Sequence, residues 1–267
     1  DAALDLRANP DMPAQGVAAN ISQAKIDVDA WDDVLAQATG SGPAARASSP
    51  SPAAGAPGVA QDYLPTTLAV RARELTLQGR TLHHLVARAL REGTTWRANL
   101  DATELNGYLE YRQPGGFEHP NGLLFARLSR VNMPQSDVSQ VEALLDEQPG
   151  ALPALDIIVD DFELRGRRLG SVEMEARNRG GDGAQREWRL SRFNILAPEA
   201  SLTASGNWAL LNAAAPGPRP AQRRTVLSFR LDIRDSGDLL ARMGMANVVR
   251  RGKGRLEGQV AWIGAPF

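Results

Sequence analysis

The chain holds three histidines, His83, His84 and His119, and imidazole is the side chain whose proton and metal chemistry sits nearest neutrality. His83 and His84 are adjacent in a strand-like run, so they point to opposite faces and cannot share a metal ion. The acids Asp27, Asp29, Asp32 and Asp33 lack the central glycine and closing glutamate of a calcium loop. They suit a strand edge and a helix N-terminus, where carboxylates offset the positive end of the dipole. Asp160 with Asp161, and Glu173 with Glu175, fall on the polar side of strands, not across a cleft as an acid pair for glycoside hydrolysis would. No G-x-S-x-G, H-E-x-x-H or G-x-x-x-x-G-K-[ST] occurs. Arg251-Gly252-Lys253-Gly254-Arg255 has no helix after it to receive a phosphate and reads as a hairpin turn. Cysteine is absent, which removes disulfides, thiolate metal sites and a sulfur nucleophile. The expectation is a protein without catalysis, metal or cofactor.

What the residues do carry is strand periodicity. From Leu152 to Trp208 four strands keep apolar residues on one parity, the signature of a sheet with one dry and one wet face. Leu155, Ile157 and Val159 give way to Phe162 and Leu164 across a shift that a β-bulge would make. Val172, Met174 and Ala176 alternate with Ser171, Glu173, Glu175 and Arg177; Trp188 and Leu190 open the third strand. Leu202, Ala204, Gly206, Trp208 and Leu210 alternate with Ser201, Thr203, Ser205 and Asn207. Arg165-Gly166-Arg167-Arg168 and Arg179-Gly180-Gly181-Asp182-Gly183 supply turn residues, and Pro198 ends the third strand.

The same signals occur once before. Leu64-Pro65 matches Leu152-Pro153, Glu74 to Arg80 matches Asp161 to Arg167, Leu82 matches Leu169 and Trp96 matches Trp188. This is an internal repeat of about 90 residues, the mark of a fold that grows by stacking units. Its dry side carries Leu68 and Val70, Leu75 and Leu77, Trp96 and Leu100, then Leu109. A third stretch has Leu227, Phe229, Leu231 and Ile233, a short helix from Asp235 to Met245, and a last strand with Leu256, Val260 and Trp262. The expected segmentation is 1–39, the end of a preceding β unit plus a short helix near Trp31 and Asp32; 40–61, a Pro/Ala/Ser-rich loop; 62–134, a β repeat; 135–150, a helix over Ser136 to Glu147; 151–212, a β repeat; 213–222, a Pro-rich loop; and 223–267, a closing β unit.

With 30 Lys and Arg against 31 Asp and Glu in 267 residues, no global field draws in nucleic acid or an anionic surface. No apolar run approaches the roughly 20 residues of a membrane span. The chain starts in mid-pattern, as a segment of a longer protein would.

Ten or so one-sided strands with few helices leave a large apolar face to be covered, beyond what a soluble monomer tolerates. The pattern by itself favours a sandwich that covers itself. The alternative is a trough whose interior is filled by an apolar ligand, each buried methylene contributing about 0.8 kcal/mol.

The segment RTVLSFRLDIRDSGDLLARMGMANVVRRGKGRLEGQVAWIGAP resembles the AsmA-like proteins, particularly the YhdP group. The order of its signals carries the likeness: a strand, an acid and Gly before a Leu-Leu helix, a Met-Gly turn, a Gly-rich basic stretch, and a strand ending Trp-x-Gly-x-Pro. IDVDAWDDVL, LLFARLSRVNMP and EWRLSRFNILAPEASLTASGNW are similar to other parts of that group. The resemblance implies a mainly β, curled antiparallel groove of repeating units. It implies a Gram-negative periplasmic protein, anchored in the inner membrane by a helix absent from this chain, that carries phospholipid toward the outer membrane without catalysis. The apolar residues named above, from Leu68 to Trp262, would line the groove and meet phospholipid acyl chains. The basic turns Arg165 to Arg168 and Arg250 to Arg255 would either meet lipid phosphates at its rim or be ordinary solvated turns. The competing reading is a scaffold of β-sandwich repeats that docks other envelope proteins. A glycan-acting enzyme would need convergent carboxylates that are not present.

Overall fold

Alternating residues joined by tight turns build hairpins, and here the hairpins chain into one sheet. The structure, a computed structural model, describes residues 17–30, 65–77, 79–115, 119–133, 152–179, 187–210 and 223–264. Its strands are β1 (Ala18–Asp27), β2 (Thr67–Leu77), β3 (Arg80–Glu92), β4 (Thr95–Asp101), β5 (Leu105–Arg112), β6 (Leu123–Met133), β7 (Ala154–Leu164), β8 (Arg167–Arg179), β9 (Glu187–Leu196), β10 (Ala200–Leu210), β11 (Arg223–Ile233) and β12 (Gly254–Ile263). They lie in one twelve-stranded sheet in sequence order, and β1 does not pair with β12, so the sheet is open.

Local chemistry places the corners. Leu164 pairs with Arg167 across Arg165 and Gly166, at φ 53° and 73°, the two positive values that a type I′ hairpin turn requires. The shift from Val159 to Phe162 is a register break at that point in the β7–β8 ladder, as the change of parity requires. The Ala197-Pro198-Glu199 turn separates β9 from β10. Helix α1 (Ser236–Arg242) is capped by Asp235, whose Oδ1 accepts the amides of Gly237 and Asp238 at 2.9 and 3.1 Å. At the other end of the chain residues 28–30 are helical, and Asp27 Oδ1 accepts the Ala30 amide at 3.0 Å.

Three expectations are corrected. The sheet is not antiparallel throughout, because β1 pairs with β2, and β6 with β7, in parallel. Parallel neighbours need a crossover of a dozen or more residues, and both joints fall where the sequence has its long connections. Each joint begins a repeat: strands of 11 and 13 residues open both β2–β3 and β7–β8. The self-covering sandwich does not form, since strands pack on their sheet neighbours and no second layer exists among the described residues. Nor is Gly252-Lys253-Gly254 a hairpin turn. Helix α1 stands between β11 and β12, Gly252 packs against the Ser236 hydroxyl, and β12 starts at Gly254.

The second glycine-rich turn, the loops at 40–61 and 213–222, the helix over Ser136 to Glu147 and the region from Trp31 lie outside the described residues. Among those described, no helix is long and apolar enough to cross a membrane.

Candidate ligand-binding face

Hydrogen-bonded register sets residues of successive strands side by side on one face, so transverse rows can be followed across the sheet. One row runs Val70, Ala87, Leu100, Gly107, Leu128, Val159, Val172, Ile195, Leu202, Leu231 and Leu256. The next runs Leu68, Ala89, Ala98, Leu109, Ala126, Ile157, Met174, Phe193, Ala204, Phe229 and Gly258. A third links Trp96, Tyr111, Leu124, Leu155, Ala176, Leu190, Gly206, Leu227 and Val260. From β2 to β12 no charged residue interrupts the first two rows.

This face is the inside of a curl. In a flat single layer both faces would lie open, yet Trp188 and Trp208 are only 3% and 4% exposed, and Val159, Val172, Ala176 and Leu190 are buried with them. Leu152, Leu155, Met174, Phe193 and Leu227 pack against that cluster. Toward the sheet edge the face opens, and Leu256 and Val260 of β12 are exposed. A cleft of about 50 Å³ remains among Trp188, Leu190, Phe193, Leu227 and Trp262.

Two borders flank the apolar rows. Along one, Trp188, Trp208, Thr225 and Trp262 stand side by side. Indoles suit such a boundary because they join a large apolar body to one polar N–H. Trp188 donates to the Pro153 carbonyl at 3.4 Å, while the buried Trp208 Nε1 has no partner among the described residues. The Arg223 guanidinium lies 5.8 Å from the Trp208 ring, and burial lowers its pKa.

The other border is made by strand ends and α1. Phe162 stands opposite Gly170, Ile233 opposite Ala200, and Leu164 lies between Met133 and Arg167. Helix α1 is held there by Arg242, whose Nε and Nη2 donate to the two carboxylate oxygens of the buried Glu199 and whose Nη1 donates to the Arg168 carbonyl at 3.0 Å. Arg234 ties the same turn through the carbonyls of Pro198, Ala197 and Ala200.

Most of the ion pairs lie on the opposite face. Arg97 bridges Glu92 and Glu110, Arg127 meets Asp156, Arg177 and Arg192 meet Glu175, and Arg230 meets Glu257. Arg112, with Tyr108 and Arg97, holds the Glu110 carboxyl below the ordinary carboxylate range, against the opposing effect of burial. Burial, then the Glu110 carboxylate, pushes the Tyr108 phenol up. His83 Nδ1 sits 2.6 Å from Glu104, while the His84 ring lies 3.4 Å from the Thr103 hydroxyl. The described residues contain no group of three potential metal-ligating side chains.

The lining residues read from the sequence fall mostly into these rows. Leu75 stands between Ile26 and Leu82, and Leu77 opposite Arg80 at the border, beyond a step at Arg73 where pairing lapses and His84 takes φ 55°. Leu77 is exposed. Phe193 and Ile195 belong to the face although periodicity did not select them as lining. A register break beside Ser191 puts Phe193 three residues after Leu190 on the same side, and that three-residue step is the signal that could have found it.

No curated protein and no solved structure matches the chain. A family model described as YhdP protein matches residues 2–267, and with the open, one-sided β sheet this places the chain in the YhdP family of AsmA-like envelope proteins.

Proposed function

We propose that this chain is a segment of a periplasmic groove that carries phospholipid between the inner and outer membranes by apolar contact, with no catalysis. The observation that carries the reading is the pair of unbroken apolar rows from β2 to β12 on the inside of an open sheet. Ten strand spacings of about 4.8 Å give a face roughly 50 Å long. The rows from Trp188 to Ile195 span about 20 Å across it, more than the roughly 15 Å of a bilayer leaflet's hydrocarbon. Acyl chains therefore fit along the strands, across the width of the groove. Rows of similar aliphatic side chains offer similar energy at each step, so a lipid held at about 0.8 kcal/mol per buried methylene can move along them. In the full-length protein an inner-membrane anchor would fix one end, and other envelope proteins would meet the rest.

The test is native mass spectrometry with lipid extraction on protein prepared without detergent. Copurifying phospholipid, lost when Leu202→Asp and Leu231→Asp are combined across β10 and β11, is the expected result. A clean apo mass with no uptake of added lipid would instead favour the docking scaffold.

A further inference from the structure

Two arginine-bearing turns far apart in sequence meet at one border of the apolar face, with α1 between them. Arg165 lies in the β7–β8 turn and Arg167 directly follows it, and Arg250, Arg251 and Lys253 precede β12. Gly244, just after α1, lies so close to the Arg167 guanidinium that a Cβ there would stand 2.6 Å from Nη2. At the start of α1, Gly237 packs on the backbone of Val249 and Arg251. Seven helical residues, about 10 Å of rise, thus separate the two turns.

These five cations are exposed and have no hydrogen-bonded or ion-pair partner among the described residues. The acids nearby are committed. Glu199 binds Arg242, Asp235 caps α1, Glu163 faces Arg168 and Asp232 faces Arg255, which leaves Asp238 alone against the five. Arg167 is the telling member. Its row neighbours are Leu164 and Met133, so it ends an apolar row on the groove side and is not part of the charged outer face. Met243, Met245, Val248 and Val249 are exposed beside the same cations. Apolar contacts next to unpaired guanidinium groups match the neck of a molecule whose chains are hydrocarbon and whose head carries a phosphate.

We propose that this border is a headgroup site: Arg167, with Arg165, Arg250, Arg251 and Lys253, binds the phosphate of a phospholipid whose acyl chains lie on the apolar rows. The site rests on the groove reading and adds to it a polar selectivity that the rows lack. Headgroups would be drawn to the border formed by the second repeat and α1.

The test uses the whole chain freed of lipid and three probes: a short-chain phosphatidylglycerol, the diacylglycerol of the same chains, and inorganic phosphate. Calorimetry should show phosphatidylglycerol bound about tenfold or more tightly than diacylglycerol, the margin of one charge-assisted contact. Arg167→Gln combined with Arg250→Gln and Arg251→Gln should bring phosphatidylglycerol to the diacylglycerol level and leave diacylglycerol unchanged. Arg224→Gln, at an exposed position on the other side of β11, should change neither. A triple variant that keeps the preference overturns the site while the groove stands. Inorganic phosphate bound as tightly as the lipid would also overturn it, because the anion site would then be independent of the chains. Failure of both lipids to bind the unaltered chain would remove the groove reading and this site with it.

Discussion

At the scale of single residues, fold and function meet where a side chain is missing. Gly170 takes φ 95°, and a Cβ there would lie 2.1 Å from the Leu196 carbonyl, because β8 closes on the end of β9 opposite Phe162. Gly170→Ala meets both a disfavoured backbone region and a backbone clash, and should cost about 3 kcal/mol. Gly93 makes the contrast: it has φ 59° and open space, so Gly93→Asn should cost no more than about 0.5 kcal/mol, Asn being tolerated in that region. Urea midpoints of the two variants measure the difference. Which of these glycines carries a steric demand depends on a neighbour 26 positions away in sequence (Leu196 to Gly170).

Among elements, α1 was visible from Asp235 and the Leu239-Leu240 pair, whereas its fastening was not. Glu199 lies in the β9–β10 turn, and only the tertiary arrangement brings Arg242 onto it. Arg242→Met leaves a carboxylate that is 5% exposed without its counter-charge, at a cost of about 3 kcal/mol. Amide exchange over residues 236–245 should accelerate, and adding Glu199→Gln should restore part of the protection. If exchange stays slow in the single variant, the pair does not fasten the helix. Parallel joints are a second feature of this scale that periodicity does not display. A strand's alternation is the same whichever way its neighbour runs, so only the length of the connection hints at direction.

For the whole molecule the question is whether the two repeats make one path or two pockets. The rows cross β6 and β7 without a break, so a charge in either repeat should obstruct the same traffic. An Asp in hydrocarbon costs about 2.5–3.5 kcal/mol at a bilayer centre. Leu68→Asp in β2 and Leu231→Asp in β11 should therefore each slow transfer of a fluorescent phospholipid between vesicles about tenfold or more. A rate that responds to only one of them would mean separate pockets. The sequence by itself determined the dry and wet parities of the strands, the repeat, the bulge near Asp160, the short helix after Asp235 and the resemblance to one family, because each rests on spacing along a single chain segment. Only the tertiary structure decided that the sheet stays one open layer instead of closing as a sandwich, that two joints are parallel, and that Phe193 and Ile195 join the face. It also decided that Arg167 stands at the border beside α1. The physical reason is that curvature, register and the pairing of distant charges arise between strands, where alternation within a strand carries no information.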